Sequence, residues 1–424
     1  MIRSMFTSIS ALNMHQKYLD VTANNLANAN TNGYKSSRVL FQDQFSQMLA
    51  PGSAPTATLG GTNPTQIGLG VRLGYVSANF TQGTLQNTGR NMDLGIQGDG
   101  FFVYGQDAGR RYSREGSMSL DADGFLVNSA SGLRTQGWQV GANGTVDTNL
   151  PVDDIQIVTD KTVAKATENV YLGGNLSAAT ATDGTGTVSV SMGAYDSLGA
   201  LQTGSIKFTR TAANPLVWNW AVVDPATGLP NPATGVGAGT ITFDVNGQVD
   251  TTLATNPTIT TPVQIPGSAG SANGGQIALN IDFSKLTMLN SASSTTVTSQ
   301  DGLPSGTVSD VYISPNDGMV SLVYSNGMTE QVGQVAMARF NNSTGLMRAE
   351  GTAFTQGLNS GEAQIGAAST GGRGSIATGY LEASNVDMAQ EFTNMILAQR
   401  GFQASSRVIT TSDEILQELV NLKR

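Results

Sequence analysis

Apolar residues at Met5, Ile9, Leu12, Leu19, Ala23 and Leu26 alternate in steps of four and three that only Gln16 interrupts. That is the a/d stripe of a coiled-coil seam on an N-terminal helix. At the other end Met388, Met395, Phe402, Ile409 and Leu416 recur at every seventh position, and Phe392 and Val420 fill two companion positions. The remaining companions, Gln399, Ser406 and Asp413, are polar. Ser384-Asn385-Val386-Asp387 has the Ser-x-x-Asp form of a helix start, so the spacing predicts a helix from about Asn385 to Asn421.

Between these ends the pattern reads as strand and turn. Asp123-Gly124, Asn246-Gly247, Asp317-Gly318 and Asn326-Gly327 each sit between alternating apolar runs, the mark of tight hairpins. The stretch from Met48 to Gly70 is rich in proline and glycine and uncharged, a linker or extended arm. Composition shifts near Pro151 and again near Asp282, around a block holding Phe208, Trp218 and Trp220. The expected fold is α+β and multi-domain: paired, coiled-coil-like terminal helices with nested antiparallel β domains between them. Residues 1–40 with 378–424 form the helical part, 41–70 the arm, 71–150 with 288–377 a middle β domain, and 151–287 an inserted outer β domain.

Composition narrows the function. Charged residues are 12% of the 424, about half the usual share, and glycine reaches 51. The net charge of −9 argues against nucleic acid. With no cysteine, thiol chemistry and disulfides are excluded. The N-terminus lacks a continuous apolar h-region, so no cleaved signal peptide is expected, and no run is apolar enough to insert in a membrane.

Candidate chemistry is sparse. Gly68 to Gly74 and Gly371-Gly372-Arg373-Gly374 are glycine-rich, but neither joins a strand to a helix with phosphate-loop spacing. Asp121-Ala122-Asp123-Gly124 starts like a calcium loop and lacks the later ligands. Asp153-Asp154 and Asp413-Glu414 read as solvated acids, and the sole histidine, His15, as a partly exposed helix residue. No catalytic, metal or cofactor residue is assigned. The terminal heptads allow two readings: helices packed on one β domain, or subunit assembly.

The stretch Ala23 to Lys35, ANNLANANTNGYK, crowds five asparagines. Asn25, Asn28 and Asn32 would share one face of a continuing helix, and Asn24 lies one turn before Asn28. Asn32-Gly33, followed by Tyr34, would end the helix and reverse the chain. A face of amides would also lock to the same face on neighbouring chains. This block, through Asp43, resembles the N-terminal signature of the axial proteins of the bacterial flagellum, the rod and hook family. YLEASNVDMAQEFTNMILAQRGFQASSRV, from Tyr380, resembles its C-terminal counterpart, and Val76 to Tyr104 its shared middle domain. AYDSLGALQTGSIKFTR looks like the outer-domain motif of the family's hook members.

The resemblance implies a subunit that polymerises with itself into a hollow tube on the bacterial flagellum. Its terminal helices would form the inner wall, and the tube would be a flexible joint transmitting torque and carrying export. Further implied partners are the flagellar rod, the hook cap, the hook–filament junction proteins and the flagellar type III export apparatus. The implied location is extracellular. Two alternatives stand beside it: a distal-rod-like segment, if the arm from Met48 to Gly70 stiffens the tube, and a secreted adhesin with Trp218 and Trp220 as exposed glycan platforms.

Overall fold

The computed structural model describes residues 2–56, 59–106, 109–141, 143–211, 214–223, 237–250, 263–266 and 276–422. Two long helices lie at the chain ends, α1 over Ile2–Ala27 and α2 over Met388–Leu422. The described residues between them are mainly strands and turns, with a 3-10 turn at Ser343–Gly345. No described helix is long and apolar enough to cross a membrane.

Both helix boundaries differ from the sequence expectation, for reasons of hydrogen bonding. α1 stops at Ala27, where the backbone bonds tighten from i−4 to i−3: Asn28 N–H is shared between Asn24 O and Asn25 O, each at 3.2 Å, and Ala29 N–H bonds Leu26 O at 3.2 Å, while Asn28 Nδ2 adds a bond to the Asn24 carbonyl at 2.9 Å. Asn25, Asn28 and Asn32 therefore do not share a helical face. Gly33 reverses the chain later, at φ +70°, and its N–H bonds Glu382 O at 2.7 Å, so it is not the helix cap. At the other end the cap is Asp387: its Oδ1 accepts the N–H groups of Ala389 at 2.9 Å and Gln390 at 3.2 Å. α2 thus begins at Met388, with Asn385 left outside it for another task.

The chain divides into two compact units, one of residues 1–157, 311–321 and 331–424, the other of 158–310 and 322–330. In the first unit, strand Phe101–Tyr104 pairs antiparallel with Arg111–Ser113 and with the end of Thr329–Arg339. Alternation sends Phe101 and Val103 inward onto Tyr112, Phe340 and Phe354. Phe340 meets Tyr112 edge-on, with ring centroids 4.8 Å apart. The stretch that follows α1 is a two-tier hairpin: Ser37–Asp43 pairs with Val71–Ala78, and Ser46–Ala50 with Thr65–Gly68.

The second unit holds two four-stranded sheets around one core. Thr187–Tyr195, Leu201–Arg210, Val217–Val223 and Ala238–Thr242 form an antiparallel meander. Trp218 and Trp220, two positions apart, both face the core and are 0% and 5% exposed. Their rings are walls of that core, which removes the platforms an adhesin would need. The other sheet corrects the purely antiparallel expectation: Asn169–Asn175 runs parallel to Gln276–Thr287. The meander between them in sequence supplies the long crossover that a parallel pair requires.

Candidate functional site

The helices α1 and α2 pack on each other. Asn25 Nδ2 donates to Glu391 Oε1 at 3.2 Å, and a Cβ placed on Gly401 would stand 2.4 Å from His15 Cε1. Ten residues back along α1 is ten forward along α2, so the pair is antiparallel. Because Gly401 has no side chain, the His15 imidazole lies directly on the α2 backbone, and its Nδ1 is buried without a hydrogen-bond partner.

The face used for this contact is not the apolar stripe. Among the described residues, Ser8, Thr22 and Asn25 are buried on α1, and Ala398 and Ser412 on α2. Each of these, like His15, Glu391 and Gly401, stands one position before a heptad position read from the sequence, apolar or, at Gln16, Gln399 and Asp413, polar, and so about 100° around the helix. Met5, Leu12, Leu19 and Leu26 are half-buried, while Ile9 and Ala23 are exposed. On α2, Met395, Phe402, Ile409 and Leu416 are half-buried, and Met388, Phe392 and Val420 are exposed, Val420 by 69%. The stripes are thus partly covered and partly exposed, and the fully buried residues of the contact lie beside them. Small and polar residues let the backbones approach there, and the larger apolar side chains are turned aside.

Beyond α1 the amide cluster closes a junction. Asn25 Oδ1 accepts Ser37 N–H at 2.8 Å and its Nδ2 donates to Ser37 O at 2.9 Å, a side chain doing the work of a strand neighbour. Tyr34 Oη donates toward Asn25 Oδ1 at 3.1 Å and Asn24 Oδ1 at 3.2 Å. Arg348 covers the Tyr34 ring at 4.7 Å and also donates to Lys35 O. Asn25 is therefore spent within its own chain, and the expectation that it locks to neighbouring copies is corrected: at 1% exposure its amide has no free face.

At the centre of the junction lies a charged triad that no periodicity in the sequence indicates. Lys35 Nζ is 2.6 Å from Glu382 Oε1, and Arg114 Nη1 is 3.3 Å from Glu382 Oε2. Lys35 also donates to Thr81 O at 2.8 Å, and Gly83 N–H to Glu382 Oε1 at 2.8 Å. Burial pulls the Lys35 ammonium below the ordinary lysine range, and the Glu382 carboxylate opposes that pull. Asn385 completes the joint: Oδ1 accepts Ser36 N–H at 2.8 Å, while Nδ2 donates to Asn79 O at 2.8 Å and Thr81 O at 3.0 Å. One signal for these residues did lie in the sequence, since Lys35, Glu382 and Asn385 all fall inside the two terminal blocks that carried the resemblance.

Chemically this arrangement fastens the segment after α1, the segment before α2 and neighbouring residues of the first unit together, while apolar residues of both helices stay exposed, Phe6 and Ile9 on α1 and Met388, Phe392 and Val420 on α2. Four family models match the chain: "Flagella basal body rod protein" over residues 5–35, "Flagellar hook protein FlgE/F/G D1 domain" over 95–171, "Flagellar basal body protein FlaE D2 domain" over 159–303, and "Flagellar basal body rod FlgEFG protein C-terminal" over 377–422. Among curated relatives, the flagellar hook protein FlgE of Borreliella burgdorferi is 36% identical, covering 100% of both chains. That of Treponema pallidum is 35% identical, again over 100% of both. The flagellar basal-body rod protein FlgG of Bacillus subtilis is 30% identical over 100% of both.

Proposed function

As this chain belongs to the flagellar hook protein family, we propose that it is a structural subunit of the hook, polymerising with its own copies through the apolar stripes of α1 and α2. The observation that carries the reading is the one-residue offset between the face the helices use for each other and the face that is apolar. Here Met388 and Phe392, each 51% exposed, and Val420 remain for other copies. Apolar side chains beside the stripes are exposed as well, Phe6 by 64%, Ile396 by 55% and Leu397 by 61%. Fully burying a side chain of this kind is worth about 1.5–3 kcal/mol. Repeated along two helices, that sum supports a coiled-coil-like wall of helices from many subunits.

In this reading the buried junction keeps the helices fixed to the β strands, so that motion of the wall is passed outward as torque. The tube encloses a channel, and the subunit reaches the growing end through the flagellar type III export apparatus without a cleaved signal. It then lies outside the cell, between the rod and the hook–filament junction proteins, under the hook cap. The β units, with few charges, meet their neighbours through many weak polar contacts that can slide, which makes the joint flexible.

The test is electron microscopy of the full chain beside one lacking residues 1–40 and 378–424. Curved hollow tubes from the full chain alone support the reading; tubes from both remove the helices from assembly. A second reading, a rod-like segment, is favoured by the full-length likeness to the Bacillus subtilis rod protein and by the exposed hairpin arm, in which Phe45 is 68% and Leu59 72% exposed. Straight, stiff tubes would select it.

A further inference from the structure

The glycine-rich turn Gly371-Gly372-Arg373-Gly374 holds no phosphate-loop geometry, yet it gathers two guanidinium groups. Arg339, the last residue of strand Thr329–Arg339, donates from Nη1 to Gly371 O at 3.4 Å. A Cβ on Gly372 would stand 2.7 Å from Arg339 Nη1, and one on Gly371 3.1 Å from Arg373 Nη2. The two arginines therefore lie on the same two glycines, whose φ angles of +56° and +75° bend the backbone out of their way. Glycine is required here by both space and conformation.

Arg373 is anchored by neutral acceptors: Nε donates to Ala367 O at 2.9 Å, Nη2 to Thr370 Oγ1 at 2.7 Å and Nη1 to Gln364 O at 3.4 Å. The carboxylates of Glu382, Asp93, Asp154, Glu330 and Asp301 are ion-paired with other cations, not with Arg339 or Arg373. Burial, and then the charge of Arg339, hold the Arg373 guanidinium below the ordinary arginine range. Two like charges are thus fixed side by side in a chain with 31 acidic against 22 basic residues. Such a pair is stabilised by an anion between its forks, and carboxylate fits that geometry with two parallel bonds. Copies of this acidic chain bring surplus carboxylates, whereas a polyanion would be repelled by the rest of the surface.

We propose that Arg339 and Arg373 form an ion-pairing site for a carboxylate on a neighbouring copy of this chain, a contact separate from the helix stripes. It rests on the reading of the chain as a polymer subunit. The test uses the full chain with Arg339→Glu, which places a carboxylate beside Arg373 and fills the site from within. The thermal midpoint of the monomer should hold or rise, because a repulsion becomes an attraction. The critical concentration for polymerisation should increase about tenfold, and its dependence on sodium chloride should flatten. Arg339→Met, which removes one charge and adds none, should give an intermediate rise and keeps the test decisive if the Glu variant misfolds. Variants that polymerise at the wild-type concentration with the wild-type salt dependence overturn the site alone. Calorimetric binding of inorganic phosphate by wild type and not by Arg339→Glu, with equal polymerisation of both, overturns it in favour of a free anion. A wild-type chain that forms no polymer overturns the subunit reading, and this site with it.

Discussion

Lys35 Nζ and Glu382 Oε1 are 2.6 Å apart, both side chains wholly shielded from water, although 347 residues separate them along the chain. Arg114 adds a second cation to the same carboxylate. Glu382 is thus the shared partner, and the two cations are not equivalent to it in consequence. Glu382→Gln strands two buried positive charges and should cost about 3–5 kcal/mol in urea unfolding. Lys35→Met leaves Glu382 paired with Arg114 and should cost less. A larger loss for Lys35→Met would mean that the triad is not centred on Glu382.

Asn25 is tested by its two directions of hydrogen bonding. Asn25→Ala leaves the Ser37 amide and carbonyl without their side-chain partner and should destabilise the chain by about 1–3 kcal/mol. Asn25→Asp, nearly identical in shape, should cost more than the alanine change. It turns an acceptor toward Ser37 O and sets a negative charge against the Glu391 carboxylate that Asn25 now contacts at 3.2 Å. Thermal unfolding of the two variants gives the order.

The offset between packed face and apolar face predicts a separation of effects on α2. Phe402→Glu changes a half-buried stripe residue and should alter monomer stability by no more than about 1 kcal/mol while abolishing polymerisation. Gly401→Leu, one position earlier, drives a side chain into His15 and should loosen the α1–α2 pair in the monomer. Hydrogen exchange in α1 distinguishes them: fast exchange is expected for Gly401→Leu and wild-type exchange for Phe402→Glu.

A pH dependence follows from Glu330. The hydrogen bond from Lys161 Nζ at 2.6 Å, and then that from Tyr324 Oη at 2.6 Å, hold its carboxyl below the ordinary value of 4.5. A carboxyl lowered in the folded state binds its proton more readily when unfolded, so its stabilisation is present above pH 4.5 and is lost as pH falls through the folded value. The tryptophan fluorescence midpoint in urea should therefore drop with acid in that window. Glu330→Gln should lower the midpoint at neutral pH and make it less sensitive to acid.

Much of this was legible in the sequence because it is local. Heptad spacing located both helices, and the four Asn-Gly and Asp-Gly turns all hold glycine at positive φ, between 70° and 84°. The alternation Trp218, Trp220 put both rings on one face, and that face is the core. What escaped was set by distant partners. The asparagine-rich stretch indicated a helix end at Asn32-Gly33, whereas the helix ends at Ala27, where its backbone bonds tighten. Heptad spacing did not indicate where the helices come closest, because a glycine at 401 and an amide at 25 decide that approach. The triad was invisible to periodicity, since burying Lys35 makes sense only once Glu382 is known to meet it.

The junction also determines the path that a mechanical load takes. Asn25, Lys35, Asn385 and Glu382 tie the two helix roots to each other and to the strands side by side, so a pull on either helix is shared among bonds strained in parallel.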